Sequence, residues 1–328
     1  MMTPRRVSAM RSANADLPLA VGPAMTASGG KEGEVMKLVT IVGSERLSAG
    51  DVSAARDAAA AAGLDAGAAR WTEAEAVAEF SGTGPAAAVR DAVEAAVPHA
   101  DVIVQAAAER RRRLFIADMD STMITVECID ELADYAGLKA EISAVTEAAM
   151  RGEIDFIGAL EGRVALLAEL PVAAIDDCLR DRVRLSPGAQ TLVRTLRRHG
   201  VYTLLVSGGF TRFTGPVAEM IGFDEARANV LETHGDVLTG KVVPPIVDAN
   251  AKREALTGAA QERGIALAET IAIGDGANDL LMVETAGLGV AYHAKPKLAD
   301  AADMRIRRGD LTVLLHALGI PRADWFSA

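Results

Sequence analysis

Residues 114–122 read LFIADMDST. Four apolar residues, Leu114 to Ala117, run straight into Asp118 and then Asp120. Such a run reads as a short strand buried on both faces, as in a parallel sheet. Residues i and i+2 of an extended segment point to one side. Two carboxylates thus leave the end of a buried strand together, which is costly unless a cation is shared or one of them is protonated. A hard cation such as Mg²⁺ takes oxygen ligands of this kind together with phosphate oxygens. One carboxylate could then attack phosphorus, and the other could act as general acid and base. The bland alternative is an Asp-x-Asp turn with solvated side chains.

Downstream, strands alternate with helices. Strand candidates are Leu114–Asp118, Val201–Ser207, Thr270–Gly274 and Gly287–Tyr292; helix candidates include Ala189–His199, Asn250–Arg263 and Asp279–Ala286. This alternation predicts an α/β fold, a Rossmann-like parallel sheet covered by helices, with its site at the carboxyl ends of the strands. Two insertions interrupt it. Residues 126–185 read as a mostly helical cap, and residues 229–243 as a hairpin around His234-Gly235-Asp236.

Upstream, Lys37–Gly43, Asp51–Ala62, Ala68–Phe80, Pro85–Ala96 and Asp101–Ala107 give a β-α-β-β-α-β order, the ferredoxin-like α+β arrangement. This order resembles an ACT-type amino-acid-sensing module over 37–108. The resemblance implies serine feedback or a homodimer formed through the N-terminal domain, although no local motif carries either. Residues 1–36 read as a disordered leader, and 109–328 as the second domain. The run Glu109 to Arg113 (ERRRR) invites a phosphate-binding role, but reads more simply as a solvated linker that also discourages edge pairing.

Composition bounds the function. The 328 residues carry 34 Lys and Arg against 45 Asp and Glu, a net charge of −11, with 4% aromatic residues. Duplex nucleic acid demands clustered basic residues and single strands demand stacking aromatics, so nucleic-acid partners are not expected. No stretch approaches the roughly 18 apolar residues of a membrane span. Cys128 and Cys178 are too few for a disulfide framework or a structural zinc site; they read as reduced thiols of a cytoplasmic protein.

Three more segments bear on the acid pair. Val206-Ser207-Gly208-Gly209 ends a second apolar strand, where a hydroxyl and bare backbone N–H groups can hold phosphate oxygens; otherwise it is an ordinary strand-to-helix turn. Lys252, after Asp248-Ala249-Asn250, could neutralise charge between phosphate and carboxylate; otherwise it is a surface lysine. Gly274-Asp275-Gly276-Ala277-Asn278-Asp279 follows a third apolar strand and adds two acids and tight glycine backbone; otherwise Asp279 is a helix cap.

Together, in the order Asp-x-Asp, Ser, Lys, Asp, these motifs resemble the haloacid dehalogenase superfamily over about residues 114–310. The segments DMDSTMITVECIDELADYAG, LVSGGF, DANAK and GDGANDLLM are similar to its phosphoserine phosphatase family. The resemblance implies Mg²⁺-dependent hydrolysis of O-phospho-L-serine through an aspartyl phosphate, the last step of serine biosynthesis. It implies Asp118 as nucleophile, Asp120 as general acid/base, and Mg²⁺ held by Asp118, Asp275 and the backbone carbonyl of Asp120, with Asp279 in support. It implies Ser207 and Gly208 around the phosphate, Asn278 as a further substrate-binding residue, and Lys252 neutralising charge. In the cap it implies Glu127 for the substrate's ammonium, Arg163 for its carboxylate, and Met150 and Phe156 as apolar neighbours. An ammonium wants a carboxylate partner and a carboxylate wants a forked guanidinium, so Glu127 and Arg163 suit an amino-acid phosphate. Three rivals stand beside this reading: the same chemistry on phosphothreonine, phosphoryl transfer to another alcohol, and a non-enzymatic amino-acid sensor. The retention of both Asp118 and Asp120 speaks against the last.

Overall fold

The structure, a computed structural model, describes residues 35–107, 110–150 and 153–327, without the side chains of Ala149 and Met150. The leader read over 1–36 lies outside these residues except at its last two. Met36 already belongs to the first strand.

The amino-terminal elements are β1 (Met36–Gly43), α1 (Ala49–Ala61), β2 (Arg70–Glu73), β3 (Val77–Thr83), α2 (Ala86–Ala96) and β4 (Ala100–Ala106). The sheet order is β2-β3-β1-β4, and all neighbours are antiparallel. Helix α1 starts at a capping box, Ser48 with Asp51, which satisfies two otherwise unpaired N–H groups. Val39, Ile41, Phe80, Val89, Val93, Val102 and Val104 form the core between the sheet and the helices.

The second sheet has seven strands in the order β11-β10-β9-β5-β6-β7-β8. Its centre is β5 (Leu114–Ala117), parallel to β6 (Tyr202–Phe210) on one side and β9 (Thr270–Gly274) on the other. Strands β10 (Leu288–Tyr292) and β11 (Met304–Ile306) extend one edge in parallel, and β7 (Glu225–His234) extends the other. Only β8 (Val237–Val243) is antiparallel. The chain leaves β5 toward β6 and later returns to its other flank at β9. This reversal of strand order opens a crevice at the carboxyl end of β5.

Helices α3 (Cys128–Tyr135), α4 (Lys139–Met150), α5 (Phe156–Ala165) and α6 (Ala173–Arg182) form the insertion expected over 126–185. An isolated bridge between Ile124 and Leu185 closes its root. Its far end is tied to the β7–β8 hairpin by backbone bonds from Glu169 to Leu238, Leu238 to Leu170 and Val172 to Asp236. Gly240 is required there: it has φ +78°, and a Cβ would lie 3.0 Å from that of Ala168. The remaining helices are α7 (Ala189–Arg198), α8 (Thr211–Ile221), α9 (Ala249–Glu262), α10 (Leu280–Thr285), α11 (Pro296–Ala301) and α12 (Val313–Ala317).

Residues 110–113 correct the solvated-linker reading. Arg110 pairs with Glu79, a buried carboxylate that Arg70 also contacts. Arg112 is buried and donates to the carbonyl of Ala268 at 2.7 Å. Arg113 pairs with Glu269. A buried Glu79 must have cationic partners, and these arginines pin the two sheets' connection rather than floating in water; only Arg111 is exposed.

The two sheets share a polar seam. Buried Asp101 accepts backbone N–H bonds from Arg307 (2.7 Å), Arg308 (3.1 Å) and Gly309 (2.7 Å). Arg90 donates to the carbonyls of Ala302 and Asp303, and Gln105 to that of Ala317. Asp101→Ala orphans three donors at once, at a cost of about 3 kcal/mol. The melting temperature is expected to fall by roughly 5–10 °C, with a smaller loss for Asp101→Asn. An unchanged melting curve for Asp101→Ala would show that this carboxylate does not hold the seam.

Candidate active site

The crevice at the carboxyl end of β5 is a cavity of about 250 Å³ under the helical insertion. Asp118 and Asp120 emerge from β5, Ser207, Gly208 and Gly209 from β6, and Asp275 to Asp279 from β9. Lys252 reaches in from the first turn of α9, whose start is fixed by Asp248 accepting the N–H of Ala251. The four dispersed motifs therefore converge on one place.

The deepest group is a buried triad. The Lys252 ammonium lies 2.7 Å from Asp118 Oδ1 and 2.7 Å from Asp279 Oδ1. Burial alone would push the lysine down; the flanking charges of Asp118 and Asp279 outweigh it and hold the ammonium protonated, above its ordinary range. Asp118 is pushed well above the carboxylate range by burial and by the charge of Asp279. The other oxygen of Asp279 accepts the backbone N–H groups of Asp275 (3.2 Å) and Gly276 (3.1 Å), so the loop after β9 is wrapped around it.

Asp120 is placed differently. Its Oδ1 accepts the N–H of Cys128 at 2.8 Å, and its Oδ2 accepts the Ser207 hydroxyl at 3.1 Å. Burial raises its pKa, partly countered by those two donors. A carboxyl whose proton affinity is raised is better placed to hold and deliver a proton. The N–H of Gly209 donates to Ser207 Oγ at 2.8 Å. A side chain at Gly209 has no room, since a Cβ would lie 2.9 Å from Asp120 Oδ2.

Asp275 is raised to about 6 by burial and then by the charge of Asp279. Carboxylate oxygens of Asp118, Asp275 and Asp279 all lie within 4.8 Å of one another. Three hard oxygen donors this close together fit a small divalent cation, whose charge would relieve their repulsion. The side chain of Asp120 stands outside this cluster, whereas Asp279, read from the sequence as a supporting residue, lies within it.

On the cap side, Glu127 precedes α3 and accepts the Ser121 hydroxyl at 2.8 Å. It is raised to about 7 by loss of water around it within the cleft and by the charge of Asp120. Arg163 lines the same cavity from α5, with Nε donating to the carbonyl of Ala159. Phe156 begins α5, and its ring tip stands 3.6 Å from where a Cβ of Gly208 would be. Asn278 also lines the cavity, while the side chain of Met150 lies outside the described residues. Cys128 and Cys178 are buried free thiols.

The sequence reading missed Asp130, Thr146 and Lys295, all of which face the cavity. Asp130 stands three positions after Glu127, one helical turn on. Lys295 follows the apolar strand β10, so the same strand-end logic would have found it.

The haloacid dehalogenase-like hydrolase model matches residues 115–284, about half of the chain. A phosphoserine phosphatase of Polaromonas is 50% identical over 209 residues, covering 62% of this chain and 89% of that protein. Phosphoserine phosphatase SerB2 of Mycobacterium tuberculosis is 45% identical over 232 residues, 70% of this chain but only 56% of its own length. The solved structure of a probable phosphoserine phosphatase from Vibrio cholerae superposes with a TM-score of 0.72 at 30% identity, covering 89% of each chain. The matched span holds the acid pair, the lysine between its carboxylates and the cap that covers them, and on this ground the chain belongs to the haloacid dehalogenase-like hydrolase family.

Proposed function

We propose that this chain is a phosphoserine phosphatase, hydrolysing O-phospho-L-serine to L-serine and phosphate. The observation that carries the reading is the juxtaposition in one cleft of a lysine-bridged Asp118, a proton-favouring Asp120, and an acid and a base on the cap, Glu127 and Arg163. The first pair suits phosphoryl transfer and the second suits the two ends of an amino acid.

Asp118 attacks phosphorus in line with the bond to the serine oxygen. As that bond breaks, Asp120 gives its proton to the leaving oxygen, and L-serine departs. Asp120 then takes a proton from water, whose oxygen attacks the phosphorus of the aspartyl phosphate. Inorganic phosphate leaves and the carboxylate of Asp118 is restored. Lys252, Asn278, the Ser207 hydroxyl and the Gly208 backbone counter the charge spread over the phosphoryl oxygens. Asp118, Asp275 and the carbonyl of Asp120, with Asp279 beside them, would hold a Mg²⁺ ion, which would further stabilise that charge. Phe156 gives an apolar surface of the cleft on the cap side.

The test is phosphate release from O-phospho-L-serine with Mg²⁺ and with excess chelator. Release that requires Mg²⁺ supports the reading; no release at any Mg²⁺ concentration sinks it. Arg163→Ala is expected to lower kcat/KM on O-phospho-L-serine by about 30- to 100-fold, the loss of one charge-assisted bond. On O-phosphoethanolamine, which lacks the carboxylate, the change should stay within about threefold. Equal losses on both would remove Arg163 from carboxylate recognition.

The remaining assignments belong to the same proposal. Residues 37–108 form an ACT-like module that serves serine feedback or pairing of subunits into a homodimer, and the protein is cytoplasmic. Among the described residues no helix is long and apolar enough to cross a membrane. Calorimetry with L-serine and light scattering of the full chain test the first two.

A further inference from the structure

Charge at the cleft is unevenly distributed. Its walls present five carboxyl groups, Asp118, Asp120, Glu127, Asp130 and Asp275, against two basic side chains, Arg163 and Lys295. Lys252 is buried behind them and already committed to two carboxylates. A substrate bearing a phosphate dianion must approach through this predominantly acidic opening. Arg163 stands on the cap, where the reading above uses it for the substrate's carboxylate. Lys295 stands on the opposite element of the fold, just beyond β10. Its backbone is fixed: the N–H donates to the carbonyl of Asp275 at 2.9 Å, and Pro296 follows at the start of α11. Its side chain is exposed, and its charge is felt across the cleft by Glu127 and Asp275. A lysine held by its backbone next to a cation-binding acid, with its charge directed into the cleft, is suited to bind an incoming anion.

We infer that Lys295 is a substrate-binding residue that receives the phosphoryl group at the cleft mouth and sets affinity for phosphate esters. This rests on the phosphatase reading above. The role differs from that of Lys252, which acts on the phosphoryl group only at the reacting atoms. It also differs from that of Arg163, because the group recognised is the phosphate and not the carboxylate.

The experiment compares wild type, Lys295→Met and Lys295→Arg at saturating Mg²⁺ on O-phospho-L-serine and O-phosphoethanolamine, from low to moderate salt. Lys295→Met is expected to raise KM about 5- to 20-fold on both substrates, with kcat lowered no more than about twofold. Its kcat/KM should also vary less with salt than that of wild type, because one screened attraction is gone. Lys295→Arg should recover KM to within about threefold. An unchanged KM in Lys295→Met overturns the inference. So does a loss confined to O-phospho-L-serine, which would move Lys295 to the carboxylate. A fall in kcat shared equally by Met and Arg overturns it too, since that would mark a structural role in the loop. Wild type inactive on both substrates would instead defeat the phosphatase reading itself, so the two failures are told apart.

Discussion

Asp118→Asn is expected to abolish phosphate release, by on the order of 10⁴-fold or more, while the melting temperature stays within about 3 °C of wild type. The amide keeps the size of the side chain and an oxygen for the N–H of Met119, which donates to Asp118 at 2.7 Å. Lys252 keeps its second partner, Asp279. What the amide lacks is a nucleophilic oxygen anion. Electrophoretic and circular-dichroism controls should show an intact fold beside the missing activity. Turnover near wild type in purified Asp118→Asn would remove Asp118 from the chemistry, and with it the aspartyl phosphate.

Lys252→Met should lose turnover as well, but its larger signature is in stability. The ammonium is 1% exposed and lies between two carboxylates buried to a similar degree. Removing one partner of a buried charge cluster costs about 3–5 kcal/mol, because like charges are left facing each other without water. The cost depends on pH, and its sign follows from the direction of the shift. Asp118 has a folded pKa raised above its unfolded value, and loss of Lys252 removes the main attraction opposing that rise. A raised carboxyl is stabilised relative to the unfolded chain at acid pH, and that contribution is lost as pH rises through the folded value. The deficit of Lys252→Met against wild type, both in chelator, should therefore be largest near pH 7.5 and shrink near pH 5. Chemical denaturation at the two pH values measures it. An equal deficit at both would show that the cost is one of packing rather than of unpaired charge.

Much of the catalytic sheet was legible from sequence because its strands are buried on both faces. Apolar runs at Leu114–Ala117, Leu204–Val206 and Ile271–Ile273 mark the strands, and the polar residues after them fall at the carboxyl ends, where the crevice lies. The cap was legible as a long helical interruption between the first two strands of that sheet. Other parts were not. Helix α8 carries Gly215 and Pro216 in its middle, residues that read as breakers. Strand β11 has three residues, too few for a pattern to show. The arginines at 110, 112 and 113 looked like a charge run because Glu79, Ala268 and Glu269, which they bind, are far away in the chain. Pairing across such distances leaves no trace in local composition. Lys295 was within reach of the same strand-end reasoning, since it follows the apolar run of β10.

The seam between the two sheets bears on how the protein can be cut. Strand β11 pairs only with β10, so its outer side would present unpaired main-chain groups. Strand β4 lies close to β11, and Asp101 near its start takes up the next three N–H groups of the chain. The amino-terminal sheet thus acts as a lid on a sticky margin. A trimmed chain beginning near Leu114 would keep every residue of the proposed site and gain an exposed strand border, the kind that recruits other chains. Its handicap would show as precipitation and poor yield rather than as slow chemistry, and a short fused segment reproducing β4 would be the remedy.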